Sequence, residues 1–296
     1  MSAMEGSWWL TGGQADAAWQ RAIRAGERAA RETANAERHE RLHGENGRDF
    51  HAAMAQRHRA VADRHLTTAR LQESYARRVT EWAAGHGGSR QAQAQGEHRP
   101  LFMASVAEAC GARSAALTLI GEDLSQLAVA ASDQSSRGAQ DLEYVLTAGP
   151  GRDAAHGRRA VYASGAALER RWPGYGSGLA ALGLRAVAAL PLKVPAGCIG
   201  ALTIFDPPPA LARAGTIREV ADALAEGVLI GPDGDPDLYG GTDLRVVVHQ
   251  AAGALSEQAG SSVSDALALI QARAFALGES LESVARRVLS GELELR

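Results

Sequence analysis

The sequence predicts an α+β chain with three parts: an antiparallel helical hairpin, a mainly antiparallel sheet flanked by helices, and a C-terminal group of three helices. Three observations predict it. Residues 14–86 contain no proline, are rich in Ala, Arg and Glu, and repeat alanine every seven residues. Residues 99–206 change to short apolar runs broken by turn residues. Residues 244–290 return to helical periodicity with cap residues at the expected places.

The hairpin rests on the alanines. Ala15, Ala22, Ala29 and Ala36 form one series, and Ala55, Ala62, Ala69, Ala76 and Ala83 form a second. Between them His43-Gly44-Glu45-Asn46-Gly47-Arg48 supplies the turn chemistry. Antiparallel pairing of 36 with 55, 29 with 62, 22 with 69 and 15 with 76 gives numbers that always add to 91. Small side chains at that period let two helices approach closely along a left-handed seam. Met54, Val61, Thr68, Tyr75 and Trp82 run beside the second series, and His51, His58 and His65 run on its other flank. The histidines are read as a solvated flank, against the rival readings of a pH sensor or a metal site. His39 and His43 at i, i+4 also have chelating spacing, but no third ligand is evident, so no metal site is assigned.

Residues 87–96 read as a linker. A helix over 99–111 opens the central part. Ala115–Ile120 and Leu127–Ala131 form a hairpin around Gly121-Glu122-Asp123. A helix at 138–147, a strand at Arg159–Ala163 and a helical or irregular stretch at 166–182 follow. Arg185–Val194 and Cys198–Phe205 then form two strands joined by Pro195-Ala196-Gly197, and Pro207-Pro208-Pro209 ends the sheet. A helix over 210–230 and a Pro/Gly-rich loop over 231–242 lead to the last part. There, helices start near Leu244, after Ser262 and after Ser280, with Gly278 as a stop. The domains so read are 1–96, 97–209, 210–242 and 243–296.

The chain has 296 residues and a formal charge of −3 from 31 basic and 34 acidic groups, which excludes binding to nucleic acid through bulk positive charge. The excess is local: residues 211–244 hold 2 basic and 7 acidic groups, and residues 245–296 hold 5 and 6. Two cysteines, Cys110 and Cys198, make no disulfide framework and read as packed thiols. No long apolar run or signal pattern occurs, so a cytoplasmic protein without membrane contact is expected. No Walker, GxSxG or HExxH motif occurs. Asp153 and His156 are neighbours without a nucleophile. The expectation is a non-enzyme with no catalytic residues, no metal and no cofactor.

Residues 101–206 resemble a GAF domain of the actinobacterial regulator type, through AASDQSSRGAQDLEYVLTAGPGRDA (130–154), RRWPG (170–174) and ALGLRAVAALPLKV…GCIGALTIFD (181–206). That family usually reads Glu-Gly-Pro-Cys where this chain has Ala148-Gly149-Pro150-Gly151, so a thiol switch there is not implied. Either a ligand pocket for a small-molecule or protein signal, or a purely structural or dimerising domain, is consistent with the resemblance. Residues 245–290 resemble an ANTAR domain, an RNA-binding module of transcription antiterminators, through RVVVHQAAGAL (245–255) and SVSDALALIQARAFALGESLESVARRVLSGEL (262–293). Arg245, Gln250, Ala251 and Gly253 fall on that family's helix-start motif, and Ala266, Leu269, Ala274, Leu281, Val284 and Ala285 fall on its core positions.

The resemblance implies a homodimeric, signal-responsive regulator that binds RNA hairpins to control transcription termination. The candidate RNA-binding residues are Arg245, His249, Gln250, Gly253, Arg273, Arg286 and Arg287. His249 and Phe275 are the side chains able to stack on a base. The chain departs from the family pattern at three places: Ala252 stands for a common lysine, Gln271 for a common arginine, and Gly278-Glu279-Ser280 for a basic run. Each lost cation removes a phosphate contact. The alternative is therefore a degenerate module that dimerises, contacts proteins or senses a small ligand without binding RNA.

Overall fold

Two long helices, α1 (Glu5–Asn46) and α2 (Asp49–His86), form the hairpin. The chain turns at Gly47, whose φ of 65° lies in the left-handed region that glycine adopts without strain. The structure, a computed structural model, describes residues 5–86, 101–121, 126–208, 215–229, 243–277 and 279–295. The expected linker at 87–96, the loop at 231–242, Gly278, and parts of the 121–123 turn and of the proline run lie outside the described residues.

The chain divides into two compact units. The first comprises Met1–Gly111, Leu192–Pro195 and Pro208–Gly240. Its seam is the alanine heptad. Ala15, Ala22, Ala29, Ala36, Ala55, Ala62, Ala69 and Ala76 are buried, and Ala83 is half-buried. Ala18 and Ala25 on α1, and Gln72 and Val79 on α2, are buried three residues further on, which completes a three-four alternation. His58 and His65 occupy that same alternate position on α2, so the histidine stripe is not the solvated flank expected from sequence. His58 pairs with Glu32 through Nδ1 and Oε2 at 2.6 Å, across the hairpin. His39 and His51 approach at 2.9 Å through their Nδ1 atoms, and the His39 and His58 rings stack with centroids 5.5 Å apart. Desolvation first, then the neighbouring His51, His58 and Arg38, holds the His39 pKa below its ordinary value.

The outer stripe of α2 packs on two further helices of this unit, α3 (Leu101–Ala109) and α8 (Thr216–Ala223). Thr68 and Tyr75 are buried there, and the Tyr75 and Phe102 rings meet edge to face at 5.7 Å. A π-helical turn, Leu224–Leu229, continues α8. A Cβ at Gly227 would stand 2.4 Å from Thr68 Oγ1. The sequence reading places α3 in the sheet domain and makes the 210–230 helix a connector. Both cluster with the hairpin.

The second unit comprises Ala112–Pro191, Ala196–Pro207 and Gly241–Arg296. Its strands are β1 (Ser114–Ile120), β2 (Gln126–Ala131), β3 (Val161–Ser164), β4 (Ala186–Val194), β5 (Gly197–Phe205) and β6 (Asp243–Leu244). The sheet order is β3-β4-β5-β1-β2-β6. β1 pairs antiparallel with β2 and β5, β2 with β6, and β3 with β4. The helices are α4 (Gln134–Leu146), α5 (Pro150–Gly157), α6 (Ala166–Arg171), α7 (Tyr175–Ala181), α9 (Val246–Ala259), α10 (Val263–Leu277) and α11 (Leu281–Leu289). α4 starts with a capping box in which Asp133 accepts from Ser136 N and Ser136 Oγ accepts from Asp133 N.

One core of this unit gathers Trp172, Tyr175, Leu179, Leu184, Val187 and Phe205. The other gathers Val248, Ala251, Leu255, Ile270, Leu281 and Val284 from α9, α10 and α11. Tyr144 of α4 packs on this second core, so the three C-terminal helices and the sheet share one folded body. Among the described residues, no helix is long and apolar enough to cross a membrane.

Candidate functional site

The site is built where the C-terminal helices meet the sheet. β6 extends the β2 edge through Ala128 opposite Leu244 and Val129 opposite Asp243. Arg245 N then donates to Leu127 O at 3.1 Å, and α9 begins. This two-residue strand fixes where Arg245 enters the fold. Its side chain is fully buried. Arg245 Nη2 donates to Asp141 Oδ1 of α4 at 2.6 Å, and to Gln126 Oε1 at a longer 3.4 Å. The guanidinium lies over the Tyr144 ring, 4.8 Å from its centroid. Arg245 therefore bolts the helical module to the sheet. Expected from sequence to reach RNA, it is enclosed by protein instead, because a guanidinium out of water needs a carboxylate and finds Asp141.

Glu143 is the second buried ionisable group. It sits one helical turn along α4 from Gln140 and turns toward the start of α5. Gly151 N donates to Glu143 Oε2 at 3.3 Å, and Arg152 N donates to Oε1. Glu143 thus caps α5, whose own N-cap residue Gly149 offers no side chain. The same contact explains the glycines. A Cβ at Gly149 would meet Glu143 at 2.6 Å, and one at Gly151 would stand 3.2 Å from both Glu143 Oε1 and Thr203 Oγ1. The position where the resembled family carries cysteine is here crowded by a buried carboxylate. Burial raises the Glu143 pKa to about 7, against the lowering effect of the two backbone donors.

A cavity of about 240 Å³ opens above Glu143. Thr118, Ile120, Gln126 and Ala201 line it from the sheet, and Glu143, Tyr144, Thr147, Gly151 and Arg152 line it from the α4–α5 region. His249, Leu267 and Gln271 of α9 and α10 complete the wall. Around the cavity floor, Thr118 Oγ1 donates to Gln140 Oε1 at 2.5 Å. Gln140 Nε2, Thr203 Oγ1 and Tyr175 OH are buried without a hydrogen-bond partner among the described residues. Tyr175 lies near enough to Glu143 for the carboxylate to add to the burial effect that holds its hydroxyl pKa well above the ordinary value. Gly200 is required beside this floor, since a Cβ there would fall 2.0 Å from Thr118 O.

The sequence-selected residues separate accordingly. Gln250 and Gly253 are exposed on α9, and Arg273 is exposed on α10. Arg286 is exposed on α11 and pairs with Glu282 one turn away. Arg287 pairs with Glu279 at 2.7 Å. His249 turns its ring toward Tyr144, with centroids 6.5 Å apart, at the cavity wall. The Phe275 side chain lies outside the described residues. Two of the departures from the family pattern have local reasons. Ala252 is fully buried, so a lysine has no room there, and Gln271 faces the cavity. At the third, Glu279 holds Arg287, and Ser280 caps α11 by accepting from Ser283 N at 3.1 Å.

The other polar residues singled out from sequence are structural. Asp153 accepts from Arg171 Nη2 at 2.9 Å and Trp172 Nε1 at 3.3 Å, and so pins the RRWPG stretch to α5. His156 is exposed. Burial pushes the Cys110 thiol up to about 12, and Cys198 Sγ donates to Gly200 O. Among the described residues, no group of three or more His, Cys, Asp or Glu is placed to hold a metal ion. Glu143, Thr118, Gln140, Thr203, Asp141 and Gln271 were not selected from sequence. For Glu143, the Gly149-Pro150-Gly151 stretch, whose missing side chains leave room for a carboxylate, is a local signal from which it could have been found. No known protein family and no curated protein matches the chain.

Proposed function

We propose that this chain is a non-catalytic, signal-responsive regulator of the GAF–ANTAR kind, which binds RNA hairpins to control transcription termination in the cytoplasm. The sheet with its cavity is the sensor, the three C-terminal helices are the RNA reader, and the hairpin of α1 and α2 joins two copies. The observation that carries the reading is the shared wall of the cavity. His249, Leu267 and Gln271 belong to the reader helices, yet they enclose a space floored by the sensor's Glu143 and Thr118. Anything that fills or empties that space acts on both parts at once. A regulator needs such a differential contact for its signal to shift a conformational balance.

The surface left for RNA is small. Gln250, Gly253, Arg273 and Arg286 remain on the outside of the three helices. Gly253 leaves open space above α9, where a base can approach the backbone. Few cations mean few phosphate contacts, so recognition rests on base edges and loop shape. The second reading, a ligand-sensing regulator without RNA, is favoured by one observation: Arg245, Arg286 and Arg287 are each tied to a carboxylate.

Titration of the full chain with paired small-loop RNA hairpins, at low and moderate salt, decides between them. The expected result is loop-dependent binding with a shallow salt slope, worth about two or three phosphate contacts. Gln250→Ala combined with Arg273→Ala weakens it without changing the melting temperature. No loop-dependent binding at low salt overturns the RNA reading.

A further inference from the structure

We infer that the cavity above Glu143 is a binding site for a small planar cation that presents two adjacent N–H donors, an aryl amidine or protonated amino-heterocycle, to the Glu143 carboxylate. The inference rests on reading the unit as sensor and reader, and it names what the sensor takes.

Three features define the ligand. The floor offers acceptors. Glu143 is fully buried and already accepts one backbone N–H at each oxygen, so each oxygen keeps a lone pair for a ligand. Thr118 commits its proton to Gln140, which leaves its oxygen as an acceptor toward the space it lines. Thr203 Oγ1 lies near Gly151 and both Glu143 oxygens without a partner among the described residues, so its hydroxyl can either donate or accept there. A carboxylate with a free lone pair on each oxygen calls for paired donors carrying positive charge, since a bidentate charge-assisted pair is the strongest such contact.

The walls call for a flat apolar body. Ile120, Ala201 and Leu267 supply aliphatic surface and Tyr144 supplies a ring. Volume sets the size: about 240 Å³ admits one substituted aromatic ring system and no large nucleotide. Glu143 and Arg152 are the charged residues of the lining; at the floor an anion is disfavoured, because Glu143 already occupies the anion-attracting end of α5. The polar residues at the reader's side of the wall, His249 and Gln271, then contact the outer edge of the bound molecule.

The probe is benzamidine, with benzoate as the control of opposite charge and similar shape. Calorimetric titration of the full chain gives saturable binding with a Kd of about 100 µM, as expected for so few heavy atoms. Glu143→Gln weakens it at least tenfold. Leu267→Trp, which fills the space from the reader's side and leaves the α5 cap alone, abolishes it. Because the amidinium stays charged throughout, affinity climbs as pH rises through about 7, where Glu143 ionises. If Glu143→Gln fails to fold, Leu267→Trp and the pH profile carry the test.

No saturable binding into the low millimolar range overturns the site. So does equal binding by Leu267→Trp, or benzoate binding as tightly as benzamidine. The readout contains no RNA. Failure of hairpin binding with benzamidine still captured refutes the reader, whereas the opposite pair of results refutes the ligand site.

Discussion

Replacing Arg245 with alanine tests whether this side chain is a bolt or an RNA contact. The substitution removes a fully buried guanidinium from Asp141 and from the Tyr144 face. Breaking a buried ion pair from one side costs about 3–5 kcal/mol, because the partner charge stays behind. Asp141 retains 17% side-chain exposure, so water recovers part of that cost and the lower end applies, about 3 kcal/mol. For a unit of this size each kcal/mol lowers the melting temperature by about 2–4 °C, which gives a fall of about 6–12 °C. Calorimetry on the full chain should show this in one unit's transition while the hairpin's transition stays in place. Asp141→Ala should overlap with it, so that the double variant loses less than the two singles together. A fall below about 1 kcal/mol, with additive effects, would refute the enclosure argument and return Arg245 to the RNA-facing set.

Other outcomes follow from the same geometry. Burial raises the Glu143 pKa above its unfolded value, so the folded state holds a proton that the unfolded state has lost between about pH 4.5 and 7. Stability of the second unit should therefore fall by about 3 kcal/mol as pH rises through that window, and Glu143→Gln should flatten the slope in denaturant titrations. In the hairpin the signs reverse. The His39 and His65 pKa values are held low, mainly by desolvation, with His51, His58 and Arg38 facing the first and Arg28, Arg64 and Arg31, opposed by Glu32, facing the second. The hairpin should therefore weaken as pH falls below about 6.5, and His→Gln at both positions should remove the dependence in circular dichroism melts. A cysteine pair at Ala29 and Ala62 should close a disulfide within one chain under oxidising conditions, seen as a mobility shift at unchanged mass. Ser280→Ala should cost about 1 kcal/mol through the lost cap of α11, measured by urea unfolding.

The hairpin was legible because its information is local and periodic. Alanines at every seventh position state a seam directly, and their burial follows. The strands were legible to within a residue or two for the same reason, as apolar runs between turns. What escaped were features set by distant pairing. β6 is two residues long and exists because β2 offers an open edge. α5 is short, begins Pro-Gly, and is completed by a glutamate seven residues before it.

The histidine stripe was misread because heptad position alone does not say which flank faces the partner helix. Arg245 was misread because an arginine near a module thought to bind RNA looks like a phosphate contact. Its carboxylate lies 104 residues away in sequence. Gln271 and Ala252 look like losses for RNA, yet Gln271 lines the cavity and Ala252 packs in the core of the three C-terminal helices.

The short β6 strand has a further consequence for how the chain can be cut. β2 would otherwise be an edge strand of six residues, including Leu127, which is half exposed. Open edges with apolar residues recruit other strands. A fragment ending before residue 243 keeps every other strand of the sheet, yet it uncovers that edge and leaves Asp141 without its counter-charge. Such a fragment is expected to aggregate edge to edge as it emerges from synthesis. The last fifth of the chain thus acts as a shield for a strand made long before it.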